Sequence, residues 1–299
     1  MDTDFRGKLL AYLELARPRQ WYKNLLLFVA VAFSKNLSDT ELMLYAIFGF
    51  LSFCALSAAV YALNDIVDRE KDRGHPKKSL RPIPSGRISV GAAMAFGLSL
   101  GSIGLVAALL INWPFFLTAL MYLAVATSYS FYFKDIVILD AIIVAIGFVI
   151  RALAGAVAVA VPVSPWLVIC VFLLAVFLAF GKRRHELALL GPEAENHRGI
   201  LKHYTLHMVE DMMAVSTSTL IMAYSMYTFL ATNQYMMLTI PFAIYGLLRY
   251  MFLVHIASEG GEPEMIFRDV PTLINVVCWT SVAVAVLYLA PEPGPIFGG

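Results

Sequence analysis

Long apolar runs alternate along the chain with short polar connections. A helix needs about 20 apolar residues to cross a bilayer. Nine runs approach or reach that length, near residues 20–34, 42–63, 89–111, 115–133, 138–160, 166–181, 211–231, 236–257 and 271–290. The first is short as a strict apolar run. The amphipathic stretch 9–15 is expected to lead into it, with Trp21 and Tyr22 at the interface. The pattern predicts an all-α polytopic membrane protein with nine transmembrane helices. Residues 1–299 form one integral membrane domain, since no linker separates two soluble units. Two connections are long, 64–88 and 182–210, and each follows an even-numbered run and opens with charge. That spacing hints at an internal duplication, a feature transporters also show. Gly74, Pro76, Pro82, Pro84 and Gly86 punctuate the first long connection against regular helix, as a mobile cover would require. The Pro/Gly-rich tail 291–299 is expected to be disordered.

Composition removes the soluble alternatives. Hydrophobic residues make up 60% and charged residues 14%, with a mean hydropathy of +0.75, whereas soluble domains carry about 25% charged residues. The charge is also one-sided. Asn112-Trp113-Pro114, residues 162–165 and Thr232-Asn233-Gln234 carry none. The opposite connections hold Arg69, Lys71, Arg73, Lys77, Lys78, Arg81 and Arg87, then Lys134, then Lys182, Arg183, Arg184, Arg198 and Lys202. The N-terminal stretch adds Arg6, Lys8, Arg17, Arg19 and Lys23, and Lys35 alone falls outside. The positive-inside rule then gives a cytoplasmic N-terminus and an external C-terminus; the inner (plasma) membrane of a bacterium is the expected location. A net charge of +1 hides this asymmetry and so says little about partners, among which no nucleic acid is expected. Cys54, Cys170 and Cys278 fall inside runs and read as buried free thiols. No cleavable leader, P-loop, dinucleotide fingerprint or serine-nucleophile motif is present.

One stretch stands apart, Asn64-Asp65-Ile66-Val67-Asp68-Arg69-Glu70-Lys71-Asp72. Its aspartates at 65, 68 and 72 share one face of a helix. Exposed ion pairs to Arg69, Lys71 or Arg73 contribute only about 0–1 kcal/mol and do not call for such a stripe. Magnesium does, since it takes hard oxygen ligands and is commonly shared between carboxylates and a substrate phosphate. Tyr129-Ser130-Phe131-Tyr132-Phe133-Lys134 closes the fourth run; alone it reads as an aromatic belt with a snorkelling lysine. In the fifth run Asp140, Gly147 and Arg151 lie on nearly one face; a charge so deep usually meets a cavity or a partner helix. Lys182-Arg183-Arg184-His185-Glu186 follows the sixth run, with Lys182 and Glu186 at i, i+4. Arg17-Pro18-Arg19-Gln20-Trp21-Tyr22-Lys23 adds three cations to the same side. Each basic cluster alone satisfies topology; together with the acidic triad they describe a site for a heavily phosphorylated substrate. His203 and His207 at i, i+4 lack the acidic partners of a zinc site, while Glu262, Glu264 and Asp269 could rim the site.

The segment Asn64-Asp65-x-x-Asp68-x-x-x-Asp72 resembles the first aspartate-rich motif of the UbiA superfamily of intramembrane prenyltransferases, nine-helix proteins around a cytoplasm-facing central cavity. Where that superfamily usually carries a second aspartate-rich motif, this chain has the mainly basic Lys182-Arg183-Arg184-His185-Glu186. That departure resembles the branch of decaprenyl-phosphate phosphoribosyltransferases. Arg17-Pro18-x-Gln20-Trp21-x-Lys23-Asn24, Arg81-Pro82-Ile83-Pro84-Ser85-Gly86 and Ile150-Arg151-Ala152-x-Ala154-Gly155 fit the same branch. The resemblance implies transfer of phosphoribose from phosphoribosyl pyrophosphate (PRPP) to a polyprenyl phosphate, for arabinose-containing cell-wall polymers. It implies Mg²⁺ at Asp65, Asp68 and Asp72, with Asn64 orienting a ligand. Lys23, Lys134 and Tyr129 would meet the leaving pyrophosphate, while Arg17, Arg81, Arg151, Lys182, Arg183 and Glu186 would bind the remaining substrate groups. Partners are then PRPP, polyprenyl phosphate and membrane lipid, with self-association open. A UbiA-type aromatic prenyltransferase shares the first motif, but the cations at 182–184 count against it. A transporter would place broken helices at mid-membrane, whereas the charge here gathers at one interface. Lys35→Ala, on the external side, is expected to leave turnover unchanged; a large loss in a purified-protein assay would overturn this topology.

Overall fold

A computed structural model describes residues 2–75, 77–190, 199–230, 233–256 and 268–290. The positions of Pro76, Arg198, Thr232, Glu262, Glu264 and the tail 291–299 lie outside the described residues. Every described element is helical, and the helices group into two compact units, residues 1–162 and 163–299.

The first unit contains α1 (Asp2–Ala16), a 3₁₀ segment (Pro18–Leu26), α2 (Leu27–Phe33), α3 (Thr40–Val67), α4 (Arg69–Arg73), α5 (Val90–Ile111), α6 (Trp113–Phe131) and α7 (Leu139–Ala158). The second contains α8 (Pro165–Leu190), α9 (Leu206–Leu230), α10 (Ile240–Ile256) and α11 (Val270–Leu289). Caps fix several starts. Asp39, Ser89 and Asn112 accept backbone amides at the heads of α3, α5 and α6, satisfying donors that a helix leaves orphaned. Asp269 caps α11 and takes two hydrogen bonds from Arg249, which hold its carboxyl well below the usual carboxylate range. A depressed folded value means this stabilisation is full above about pH 4 and fades only as the pH falls through it.

Among the described residues, seven helical stretches are long and apolar enough to cross a membrane by length and composition. Two of the nine expected spans are not among them. The seventh corresponds to α9, whose Ser216–Thr219 run lowers its apolarity; these hydroxyls return to the helix's own carbonyls, as Thr217 does to Met213 at 2.7 Å. The first is broken into nine residues of 3₁₀ helix and seven of α-helix. At about 2.0 and 1.5 Å rise per residue these cover roughly 28 Å, close to a hydrocarbon thickness of about 30 Å. The stretch 9–15 does not run on into this span. It belongs to α1, which stops at Arg17 in the left-handed region (φ 50°, ψ 59°). Ala11 and Leu15 instead pack with Ala62, Ala93, Ile83 and Ile88, so α1 and the loop before α5 are seated beside the end of α3.

Between helices in lipid, close packing replaces the hydrophobic drive. α5 lies along α3, where a Cβ at Gly104 would come 2.8 Å from Leu56 and 3.0 Å from the Ser52 carbonyl; Ser52 in turn donates to the Gly104 carbonyl at 2.8 Å. α7 meets α2 still more tightly. A Cβ at Gly155 would sit 2.1 Å from the Leu27 carbonyl oxygen. Side chains such as Leu98, Val106 and Leu110 are left on the outside, where lipid receives them. Gly155→Ala is expected to cost at least the about 1–3 kcal/mol of an overpacked core, read as a fall of about 3 °C or more in the unfolding midpoint in detergent.

Candidate active site

The end of α3 is where the first unit concentrates its charge. α3 ends at Val67, Asp68 sits at the junction (φ −87°, ψ 2°), and α4 begins at Arg69. The three aspartates therefore do not lie on one continuous helix. The carbonyl–amide ladder nevertheless carries across, from Asn64 to Asp68 at 2.9 Å and from Asp68 to Asp72 at 2.8 Å, which keeps their spacing close to helical. Asp65 is 2% exposed and Asp72 3%, burial that a carboxylate tolerates only with strong partners.

Those partners are cations from three separate elements. Arg17, at the left-handed corner after α1, bonds Asp65 and stacks over the Tyr61 ring at 5.2 Å. Arg81, in the loop before α5, donates through one nitrogen to Asp65 at 3.2 Å and Asp72 at 2.6 Å. Lys134 meets Asp68 at 2.5 Å. It stands just before a strained γ-turn in which Leu139 N bonds the Val137 carbonyl at 2.7 Å across Ile138 (φ 67°, ψ −44°). A β-branched residue at positive φ is costly and tends to occur where the fold enforces a functional geometry. Lys23 donates to Gln20 at 2.6 Å within the 3₁₀ segment. Tyr129 is half-buried near the end of α6.

Two expected site residues play different parts from those their spacing suggested. Arg151 is 7% exposed and engages no carboxylate. Its guanidinium donates to Asn24 at 2.9 Å, the Gly147 carbonyl at 3.0 Å and the Tyr122 hydroxyl at 2.9 Å, inside the first unit. It therefore makes no ion pair with Asp140, which is fully buried. In the second unit, Glu186 pairs with Arg183 at 3.2 Å and i, i+3, rather than with the exposed Lys182 at i, i+4. Arg184 is structural. It binds Glu210 at 2.8 Å and the Val254 carbonyl at 2.8 Å, tying α8 to α9 and α10. The sequence reading passed over Asn24, Ser57 and Tyr122 as site-shaping residues, although polar side chains inside apolar runs are themselves a signal.

The profile of the UbiA prenyltransferase family matches residues 25–267. The chain belongs to the UbiA prenyltransferase family. Over 93% of its length it is 32% identical to a decaprenyl-phosphate phosphoribosyltransferase of Mycolicibacterium smegmatis, covering 92% of that protein. Over 92% it is 30% identical to the enzyme of the same name from Corynebacterium glutamicum, covering 86% of it. The chain is a transferase of this branch. Its fold is that of the UbiA homologue from Archaeoglobus fulgidus, solved with GPP and Mg²⁺, with a TM-score of 0.72 at 23% identity over 93% of this chain and 100% of that one.

The carboxylate set of this UbiA member suits a hard divalent ion, since Asp65, Asp68 and Asp72 offer only oxygen. Among the described residues no three acidic, His or Cys side chains gather closely enough to hold a metal unaided. A shared site, completed by substrate phosphate and water, is the usual arrangement for magnesium. Arg184→Ala is expected to lower stability by about 1–3 kcal/mol, since Glu210 and the Val254 carbonyl lose their donor. Its unfolding midpoint in detergent should fall, while turnover per folded molecule stays near that of the wild type.

Proposed function

We propose that this protein transfers 5-phosphoribose from PRPP to a polyprenyl phosphate of the decaprenyl type, releasing pyrophosphate and supplying arabinose-containing cell-wall polymers. The observation that carries the reading is the convergence of Arg17, Arg81 and Lys134 on Asp65, Asp68 and Asp72. A prenyl diphosphate donor with a neutral acceptor brings one diphosphate. PRPP with a lipid phosphate brings a diphosphate and two monophosphates, and needs more cations for the same carboxylates. The names of the relatives that match over nine-tenths of the chain support the same reading.

In this reading Asp65 and Asp68, with Asp72, hold Mg²⁺, and Asn64 orients a ligand. Bound magnesium would supply charge neutralisation for the departing pyrophosphate. The cations are only partly buried, with side-chain exposures of 23% for Arg17, 30% for Arg81 and 17% for Lys134. They are thus able to turn from carboxylate to phosphate oxygens without a large desolvation change. Lys134, Lys23 and Tyr129 stabilise the leaving group; Arg17, Arg81, Lys182 and Arg183 bind substrate phosphates. The bond from ribose C1 to the pyrophosphate oxygen breaks with both electrons going to pyrophosphate. An ionised oxygen of the lipid phosphate forms the new bond from the opposite face, inverting C1. The transition state is oxocarbenium-like, as at other anomeric centres. No general base is required, because the nucleophile carries no proton at neutral pH. The site faces the cytoplasm.

Purified protein given Mg²⁺, radiolabelled PRPP and polyprenyl phosphate is expected to move label into the organic phase and to stop on chelation. Transfer only from a prenyl diphosphate to an aromatic acceptor would replace the donor assignment. Asp65→Ala and Asp68→Ala are each expected to lower turnover by about 10²-fold or more in protein that still inserts, since the released cations have water within reach. Full activity in either variant would remove the metal assignment.

A further inference from the structure

The buried guanidinium of Arg151 has no part in the chemistry above, yet it is a charge held inside a span. An arginine inside a span is costly to place there and usually has a specific partner or role. Direct contact with a substrate phosphate is disfavoured by its surroundings. Its edge already donates to Asn24, Gly147 and Tyr122, and its faces lie against the rings of Tyr122 at 4.7 Å and Phe148 at 5.4 Å.

Asn24 is the informative partner. It is 1% exposed and lies in the 3₁₀ segment Pro18–Leu26. Its other contacts are longer, with Ser57 donating to Oδ1 at 3.4 Å and Nδ2 donating to Cys54 Sγ at 3.4 Å. The 2.9 Å bond from Arg151 is the short one. Runs of 3₁₀ helix beyond about 3–4 residues are uncommon, because their hydrogen-bond geometry is poor. A segment of nine such residues therefore needs holding from outside. α7 provides two holds one turn apart: Arg151 on Asn24, and Gly155 against the Leu27 backbone. The same segment begins beside Arg17, whose left-handed backbone aims it at Asp65, and it contains Lys23.

We infer that Arg151 is a positioning residue: through Asn24 it fixes the 3₁₀ segment against α7, and so holds Arg17 on Asp65. A charged donor at this point makes a stronger hydrogen bond than a neutral one, enough to pin an otherwise marginal helix. The coupling is local and does not depend on which phosphorylated substrate is bound.

The test is a double-mutant cycle, with a spectroscopic readout that requires no turnover. Arg151→Gln is expected to lower kcat/KM for PRPP by about 10-fold, mostly through KM. In an Arg17→Ala background the same change should add less than about 2-fold, because the link it acts through is gone. In protein whose only tryptophan is Trp21 (Trp113, Trp166 and Trp279 changed to Phe), Arg151→Gln should shift Trp21 emission to the red as the segment loosens. Fully multiplicative losses, or an unchanged Trp21 spectrum, would overturn the proposal. Should Arg151→Gln fail to fold, Asn24→Ala breaks the same link and must give the same non-additivity and the same shift. If the wild type transfers no phosphoribose at all, the proposed reaction fails, while the Trp21 readout still decides the positioning role.

Discussion

Three carboxylates and three cations share the end of α3, and each is tolerable there because of the others. Asp65 and Asp72 are almost entirely removed from water; as anions they would be strongly disfavoured in apolar surroundings without the guanidinium groups of Arg17 and Arg81. The rest of the first unit serves this pairing. The cations belong to elements far apart in sequence, so the chain has to bring a corner after α1, a loop before α5 and a turn before α7 to one helix end. α1 and the loop are brought there by the apolar cluster of Ala11, Leu15, Ala62, Ile83, Ile88 and Ala93. Lys134 is brought there by the short 3₁₀ turn Phe133–Asp135 that follows the end of α6.

This arrangement makes the charges exchangeable rather than permanent. In a fully buried ion pair neither charge is rehydrated when the pair opens, so breaking it leaves an uncompensated buried charge and is expensive. Here Asp65 and Asp72 are buried and their guanidinium partners are not, while Asp68 and Lys134 both keep part of their surface. Arg17, Arg81 and Lys134 keep part of their surface in solvent, so in the proposed reaction a highly charged ligand would draw them away while a divalent ion took their place at the carboxylates. A site built from carboxylates alone would repel a diphosphate until metal arrived, and one built from cations alone would give the metal nothing to hold.

The parts of this that the sequence displayed were those set by local periodicity. The apolar runs fall on described helices, although α8 continues past the expected end of the sixth run at 181 to Leu190, so that Lys182-Arg183-Arg184-His185-Glu186 is helical and not the opening of a loop. The 65, 68, 72 spacing singled out the acidic cluster even though the helix breaks at Asp68, because the amide ladder continues across the break. What the sequence did not display was backbone conformation away from ideal helix. Residues 18–26 read as the start of an ordinary span, and nothing in Pro18-Arg19-Gln20-Trp21 announces a 3₁₀ winding or a left-handed Arg17. Partner choice was equally hidden. Spacing alone offered Lys182 to Glu186, yet Arg183 takes that carboxylate, and Arg184 is committed to Glu210 and the Val254 carbonyl. Such choices follow from which side chains a neighbouring helix brings within reach, and sequence separation carries no record of that.

The contrast between Arg17 and Arg151 shows how one residue type serves two purposes in a membrane fold. Arg17 faces carboxylates at the end of a span and keeps some hydration, so its charge is available to a ligand. Arg151 meets only neutral dipoles and aromatic faces deep within α7, so its charge goes into the strength and direction of its hydrogen bonds. Of the three acceptors it holds, Gly147 and Tyr122 lie in the regular helices α7 and α6, and Asn24 belongs to the overwound segment before α2, which lacks good internal bonding of its own. An ordinary α-helix at that position would satisfy its own backbone and would have no use for a buried cation. Because the segment is instead wound as a 3₁₀ helix, its side-chain anchors must be rigid, and a guanidinium fixed by three acceptors is more rigid than any neutral side chain of the same reach.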